Sequence, residues 1–358
     1  MYRSIITGTG SYIPEIVVKN SDFIASEFYS RDGSFMDRPS GEIVEKFSQI
    51  TGILERRYAA AGICASDMAA SAAELAIENS GVDRESIDQL IVAHNFGDIE
   101  DADSHTNIVP SLASRVKRQL GIRNPSCIPY DLIFGCPGWL QGMIQADAFF
   151  RAGMAKNALV IGAETLSRVI DRYDRDGMIF SDGAGACILE YKEVQAGKTG
   201  ILSANVRSDC REELDYIHLS GTHNPSSEQA GQYLKMKGRK VYEYAVRHVP
   251  TAMKACLDAG GFGIRDLKAI FIHQANEKMD EAIVKNFYGL YGMAEVPANI
   301  MPMCIHWLGN SSVATIPTLL DLVRRGDMDG FELNRGDIIL FASVGAGMNI
   351  NAVCYGCD

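Results

Sequence analysis

Ala269-Ile270-Phe271-Ile272-His273-Gln274-Ala275-Asn276 is a run of four apolar residues that turns polar at once. It is too short for a helix and too continuous for a half-exposed strand. It therefore reads as a strand buried on both faces that delivers His273 at its carboxyl end. The first half holds a counterpart, Gln89-Leu90-Ile91-Val92-Ala93-His94-Asn95, which delivers His94 in the same way. Further along, Phe134-Gly135-Cys136-Pro137-Gly138 leads into an apolar helical stretch that runs to Phe150. Leu308-Gly309-Asn310-Ser311-Ser312 leads into another that ends near Val323. Ala158-Leu159-Val160-Ile161-Gly162 and residues 183–190 then echo residues 338–342 and 345–355. The order is the same in both halves, which predicts a duplicated α/β unit with two central sheets and helices packed against them. Chance matching of short β-rich runs is the competing reading.

The chain of 358 residues is long enough for one large core or two fused ones, and its 47% apolar and 22% charged residues are those of a globular protein. A net charge of -11, with no basic tail, argues against general nucleic-acid binding, which needs a basic footprint. Two local clusters, Arg115/Lys117/Arg118 and Lys235/Lys237/Arg239/Lys240, read either as solvated faces or as docking sites for an anionic carrier or nucleotide. The first residues lack a signal-peptide pattern, and no run of 18 uncharged apolar residues suggests a membrane span, so a cytoplasmic location is expected.

Residues 42–49, 67–78 and 237–259 have the spacing of helices buried on one side, with Ser66 placed to cap the second. Residues 98–107 are polar and acidic and read as a loop. Residues 207–232 carry Gly, Asn and Pro turn signals and read as a crossing between the halves. No low-complexity linker separates them, so one compact unit is expected. The nine cysteines lack the density of a disulfide scaffold, and Cys354/Cys357 form a lone pair without a second one, so no metal site is expected.

Cys136 stands between Gly135 and Pro137-Gly138 at a helix start. Exposed amides and the positive end of the helix there favour thiolate, the nucleophilic form. Gly142 and Ala146 share one helical face and allow close approach of another backbone. His273 can exchange a proton or stabilise charge at a carbonyl oxygen, and Asn310 can donate to that oxygen without changing charge. Taken singly, each has a structural reading: Cys136 as a core thiol, His273 as the end of a strand, Asn310 as a helix cap.

Taken together, these segments resemble the ketoacyl synthase III family of the thiolase-like superfamily over nearly the whole chain. The resemblance is carried by Thr51-Gly52-Ile53 with Arg56-Arg57, Gly135-Cys136, Ser181-Asp182-Gly183-Ala184-Gly185-Ala186, His273-Gln274-Ala275-Asn276, Gly309-Asn310-Ser311-Ser312 and Gly345-Ala346-Gly347. It implies an α/β thiolase-like fold, duplicated in five layers (α-β-α-β-α). Residues 1–200 would form the half with the nucleophile and residues 201–358 the half with the histidine and asparagine. It further implies a homodimer in which Cys136 takes an acyl group from a thioester, while His273 and Asn310 assist decarboxylation of a malonyl thioester whose carbanion attacks that acyl group. The N–H groups of Cys136 and Ala346 match the oxyanion-hole positions. Arg168 and Lys278 match positions near the cofactor entrance or carrier-docking face. Coenzyme A or acyl carrier protein thioesters would be substrates, with no tightly bound cofactor and with the carrier protein as partner.

Several positions depart from the family pattern. Lys46 and Ile50 stand where a Trp and an Arg contribute to coenzyme A binding, and Glu243 stands where a Lys is usual. The segment between Pro14 and Thr51 is longer than in short members. Val109 precedes Pro110-Ser111 at a position that often bears a Phe reaching the partner's acyl tunnel, so a roomier tunnel is expected. The glycines of 182–186 have neither Rossmann nor phosphate-loop spacing. Condensation of two longer acyl chains, acyl transfer in secondary metabolism, and a non-catalytic partner subunit are the competing readings. The conjunction of Cys136, His273 and Asn310 argues against the last. A hydroxymethylglutaryl synthase would need an added catalytic acid, which has no clear candidate in the sequence. A cysteine protease gives no special place to the Gly-Asn and Gly-Ala-Gly elements.

Overall fold

The computed structural model describes residues 1–100, 105–195, 198–228 and 231–358. The first part of the chain forms β1 (Tyr2–Tyr12), β2 (Ile16–Lys19), α1 (Ser40–Thr51), β3 (Glu55–Tyr58), α2 (Ala65–Ser80), β4 (Gln89–His94), α3 (Leu112–Gln119), β5 (Ile128–Ile133), α4 (Gly138–Arg151), β6 (Asn157–Thr165) and β7 (Asp182–Glu193). The second part forms β8 (Gly200–Ser208), β9 (Ile217–Ser220), β10 (Tyr233–Met236), α5 (Gly238–Ala259), β11 (Leu267–Ile272), α6 (Glu277–Gly289), α7 (Ile305–Leu308), α8 (Thr315–Arg324), β12 (Ile338–Gly345) and β13 (Asn349–Gly356).

The two large sheets have the orders β1-β7-β6-β4-β5 and β11-β12-β13-β8, beside the two-stranded pairs β2-β3 and β9-β10. The pairings correspond strand for strand. β4 and β6 are parallel, as are β11 and β12; β6 and β7 are antiparallel, as are β12 and β13; β7 and β1 are antiparallel, as are β13 and β8. The duplication read from the sequence is therefore present in the topology, and β5 is the strand without a counterpart.

Helices α4 and α8 touch strands of both sheets and form the middle layer. Helices α2 and α3 cover the outer face of the first sheet, and α5 with α6 covers the second. This is the five-layered thiolase-like arrangement. The continuous apolar runs follow from it, because β4 and β12 have helices on both faces and every residue of each is buried. The central core joins Trp139, Met143 and Phe150 of α4, Leu319 and Leu320 of α8, and Phe271 and Phe341 from the second sheet.

Two local expectations are corrected. Cys64, not Ser66, is the N-cap residue of α2, with Asp67 accepting the Cys64 N–H at 2.8 Å. Ser66 lies in the first turn, where Asp98 accepts its N–H at 2.8 Å and its hydroxyl at 2.7 Å, a long-range partner that local sequence does not reveal. The basic clusters are also partly neutralised. Lys235 is buried between Asp171 (2.5 Å) and Asp174 (3.2 Å). Arg115 is held by Asp98 at 2.7 Å, and Lys117 is spent on the carbonyls of Asn124 and Cys127. Asp98 and Asn107 bridge the base of the acidic loop, of which residues 101–104 lie outside the described residues.

Phe341 is fully buried, with its ring centroid 5.9 Å from that of Trp139 and 5.5 Å from that of Phe271, where the middle layer meets the second sheet. Phe341→Ala should lower unfolding stability by about 3–5 kcal/mol, from lost burial plus the cavity left behind. Urea denaturation against the exposed control Met154→Ala, expected within about 0.5 kcal/mol of the parent, checks this.

Candidate active site

The site is built where turns from the two halves meet at the ends of buried strands. Cys136 follows Gly135, and α4 begins at Gly138 with Pro137 as its N-cap residue. Gly135 has φ +68°, and a Cβ on it would lie 2.8 Å from the Ala346 nitrogen. A Cβ on Gly345 would lie 2.5 Å from the Cys136 nitrogen. Both values are closer than real Cβ contacts allow, so the two turns approach one another because neither glycine has a side chain. The backbone amides of Cys136 and Ala346 are brought to the same place by this contact. Within α4, a Cβ on Gly142 would lie 2.7 Å from Val160 Cγ1, so the close approach there is to side chains of the first sheet and not, as expected, to another backbone.

Asn310 is fixed through its backbone, which donates to Ile179 O at 3.0 Å and accepts from the Ser181 amide at 2.9 Å. Its Oδ1 accepts the Ser312 N–H at 2.8 Å, leaving the Nδ2 group as the part of the side chain free to donate. Ser312 in turn places its hydroxyl 3.3 Å from the Cys136 sulfur. Cys136 and Asn310 are thus linked through one residue. His273 follows β11, and its amide donates to Ala342 O at 2.9 Å on β12, the strand that ends at Gly345. The histidine is buried, and its Nδ1 has no hydrogen-bond partner among the described residues. Its counterpart His94 is not presented in the same way: its ring is tied to Asp131 at 3.0 Å and to the Gly97 amide.

The electrostatics differ from the expectation at Cys136. The side chain keeps partial contact with solvent, yet protein surrounds the sulfur closely. Burial is the largest influence and pushes the thiol up to about 11, against the Ser312 hydroxyl and with help from the charge of Glu164. The helix start therefore does not by itself make a thiolate here, because desolvation outweighs it. Burial also holds His273 down to about 4, so the ring is neutral at pH 7.

Other motif residues act as fasteners. Ser181 exchanges hydrogen bonds with the Arg57 backbone, and Asp182 accepts from Ser167 and Ala59. Arg56 is fully buried and holds Met178 O, Val18 O and Asn20.

A cavity of about 1020 Å³ lies beside the site, between α1 and the starts of α5 and α6. Its wall includes Ile179, whose carbonyl accepts the Asn310 amide, and Ala275, two residues beyond His273. Lys46 and Ile50 line it, as do Lys237, Arg239 and Lys240. Lys278 is exposed on α6 between two residues flanking that wall. Arg168 does not stand at the entrance as expected; it is buried and donates to the carbonyls of Ile99 and Ala60. Val109 is 82% exposed. Asn95, Glu164 and Ser312 were not singled out from sequence. The available signals were an acid and an amide at the carboxyl ends of wholly apolar strands.

The sequence profile described as 3-oxoacyl-[acyl-carrier-protein (ACP)] synthase III matches residues 130–210, and its C-terminal companion matches residues 257–357. The β-ketoacyl-[acyl-carrier-protein] synthase III of Brucella abortus (strain S19) is 32% identical over 356 residues, 99% of each chain. The chain belongs to the 3-oxoacyl-[acyl-carrier-protein] synthase III family. It is an acyl-transferring, condensing enzyme of that family, with the thiolase-like fold. The structure of the synthase III of Thermus thermophilus superposes with a TM-score of 0.80 at 29% identity, covering 99% of both chains. The priming β-ketosynthase of the R1128 polyketide biosynthetic pathway superposes with a TM-score of 0.79 at 26% identity, covering 99% of this chain and 96% of that one.

The depressed His273 value carries a sign for stability. An unfolded histidine takes its proton near 6.5, whereas the folded one waits until about 4. Between those values the unfolded chain binds the extra proton. The contribution is full above pH 6.5 and is lost as pH falls toward 4, up to about 3 kcal/mol. Unfolding of the parent and His273→Gln at pH 7.5 and 4.5 should show the parent losing more stability on acidification, by up to that amount.

Proposed function

We propose that the protein carries out decarboxylative Claisen condensation, joining an acyl thioester primer to a malonyl thioester through an acyl group on Cys136. The observation that carries this reading is the meeting of the Gly135-Cys136 and Gly345-Ala346 turns, with the Cys136 and Ala346 nitrogens at the contact, which supports their amides as the oxyanion hole for the carbonyl that Cys136 would attack. The thiolate attacks the primer thioester, and the coenzyme A or carrier thiolate departs. The malonyl thioester then loses carbon dioxide, and the electron pair of the broken bond forms an enolate. Neutral His273 and the Nδ2 group of Asn310 donate to the enolate oxygen, so the negative charge is met by dipoles and not by a buried cation. The enolate carbon attacks the acyl-cysteine, and the sulfur leaves as the 3-oxoacyl thioester forms.

Substrates would reach the site through the cavity beside α1. The cations Lys46, Lys237, Arg239 and Lys240 at its wall suit the phosphate of a pantetheine arm, and Lys278 is exposed nearby. With Lys46 and Ile50 at the coenzyme A positions, acyl carrier protein is the favoured donor. A homodimer fits β5, which is an edge strand with Ile128 and Ile133 exposed, and Val109, which is exposed as well. A cytoplasmic location accords with the absence, among the described residues, of any helix long and apolar enough to cross a membrane. Fatty-acid initiation is the primary reading. The small Val109 side chain and the likeness to a polyketide priming enzyme favour a second one, in which a longer primer enters a specialised pathway.

Intact-mass analysis with acetyl through decanoyl thioesters, on coenzyme A and on acyl carrier protein, should show one acyl adduct in the parent and none in Cys136→Ala. Medium chains should compete with acetyl, the carrier form should be preferred, and Val109→Phe should shift loading toward short primers. An undiminished adduct in Cys136→Ala sinks the assignment of the nucleophile. Exclusive acetyl-coenzyme A loading sinks the second reading.

Rapid-quench measurement separates the two half-reactions. His273→Ala and Asn310→Ala should slow malonyl decarboxylation by about 100-fold or more while leaving acyl loading within about threefold. Equal losses in both steps would refute the division of labour.

A further inference from the structure

The turn that carries Ala346 holds an unfavourable backbone. Gly347 and Met348 both adopt left-handed conformations, with φ +72° and +48°. Glycine enters that region freely, but Met348 bears a long side chain and is strained there. Two polar contacts from outside the turn hold it. The Tyr244 hydroxyl on α5 donates to Met348 O at 3.1 Å, and Asn349 Nδ2 donates to Ala346 O at 2.9 Å. A Cβ on Gly347 would lie 2.9 Å from the same Nδ2, so glycine at 347 is what lets the Asn349 side chain fold back across the turn. Met348 is fully buried and shares the core of the second sheet with the Tyr244 ring.

Tyr244 is itself fixed from two sides. Its ring packs against His248 with 4.5 Å between centroids. Its hydroxyl also donates to Asp209 Oδ2 at 2.7 Å, an oxygen that accepts Arg207 Nε at 2.5 Å. One hydrogen thus faces two acceptors and is shared between them in a three-centre bond. Burial, and after it the Asp209 contact, pushes the phenol above its usual value, so Tyr244 is a donor at neutral pH. A phenylalanine would fill the same place in the core, so the hydroxyl serves the turn and not the packing.

We propose that Tyr244 and Asn349 are positioning residues for acyl transfer: they hold the strained turn and so keep the Ala346 amide at the Cys136 turn, where a Cβ on Gly135 would lie 2.8 Å from its nitrogen. The inference rests on the reading of Cys136 as the nucleophile and of the Ala346 amide as an oxyanion donor. When the thiolate attacks the thioester carbonyl, a C–S bond forms and the electron pair of the C=O double bond moves to oxygen. The collapse of that intermediate returns the pair and expels the carrier or coenzyme A thiolate. A donor displaced from its place stabilises the intermediate less, while the substrate still binds as before. Without the Tyr244 hydroxyl, Met348 O loses its donor and Met348 relaxes out of the left-handed region. That movement carries the Asn349 side chain off Ala346 O and frees the Gly345-Ala346 peptide to turn.

The test compares two reactions of the same sulfur, both read on the Cys136 peptide by mass spectrometry. Acyl loading passes through an oxyanion, whereas alkylation by iodoacetamide displaces iodide at a saturated carbon and does not. With the thioester that the parent loads fastest, Tyr244→Phe should lower the maximal loading rate about tenfold and leave KM within about twofold. Its alkylation rate should stay within about twofold of the parent. Asn349→Ala should show the same pattern, and it decides the matter if Tyr244→Phe does not fold. Asp209→Ala leaves the phenol hydrogen wholly to Met348 O and should load within about twofold of the parent. The proposal falls if loading and alkylation drop together in Tyr244→Phe, or if Asp209→Ala loses as much as Tyr244→Phe. A parent that forms no acyl adduct overturns the proposed reaction and this inference with it, whereas equal loading by the parent and folded Tyr244→Phe overturns the inference alone.

Discussion

The Cys136 amide occupies the place where a side chain on Gly345 would sit, and the Ala346 amide does the same for Gly135. This mutual exclusion of side chains is the constraint on which the site depends. It requires β12 to end, and α4 to begin, within one van der Waals contact of each other. That in turn requires the two sheets to be held at a fixed separation by the helices between them. α4 and α8 set that separation through side chains packed into the core between the sheets, such as Trp139 of α4, which stacks edge-on against Phe341 of β12. The chemistry of the cysteine is thus tied to the packing of aromatic rings in the middle layer.

Within that frame the two halves have diverged at equivalent positions. β4 and β11 are both wholly apolar strands that end on a histidine, but His94 is tied to Asp131 and stabilises the loop after β4, whereas His273 keeps Nδ1 unpartnered. A histidine with both nitrogens engaged can order a loop, and one with a nitrogen to spare can meet a substrate. Duplication supplied the scaffold twice, and hydrogen-bond satisfaction decided which copy carries the reactive group.

The two central sheets and their duplication were legible because burial on both faces writes itself as unbroken apolar runs, and because glycine at a turn is visible without coordinates. Gly135, Cys136, Asn310 and Gly345 could be read for that reason. What could not be read depends on partners far apart in the chain. Ser66 looked like a cap until Asp98, 32 positions on, took its donors. Arg168 looked like a surface cation until its guanidinium was found on the carbonyls of Ile99 and Ala60. The state of the Cys136 thiol was misread because a helix start can be seen in sequence, whereas the desolvation that opposes it depends on the assembled fold.

Because α4 contributes to the packing of both sheets, the turn before it has no independent way to open. Sub-global unfolding in a layered protein usually begins with an outer helix, which can detach while the remaining layers stay folded. α5 and α6 are of that kind, and amide hydrogen exchange in them can proceed through partial openings. α4 has contacts with strands of both sheets, so separating it from the middle layer disrupts the packing of both. The nucleophile therefore adjoins a helix of the middle layer, while the cavity that would admit its substrates is walled on one side by helices of the outer layer. Mobility needed for ligand entry and rigidity needed for attack are assigned to different layers of the same fold.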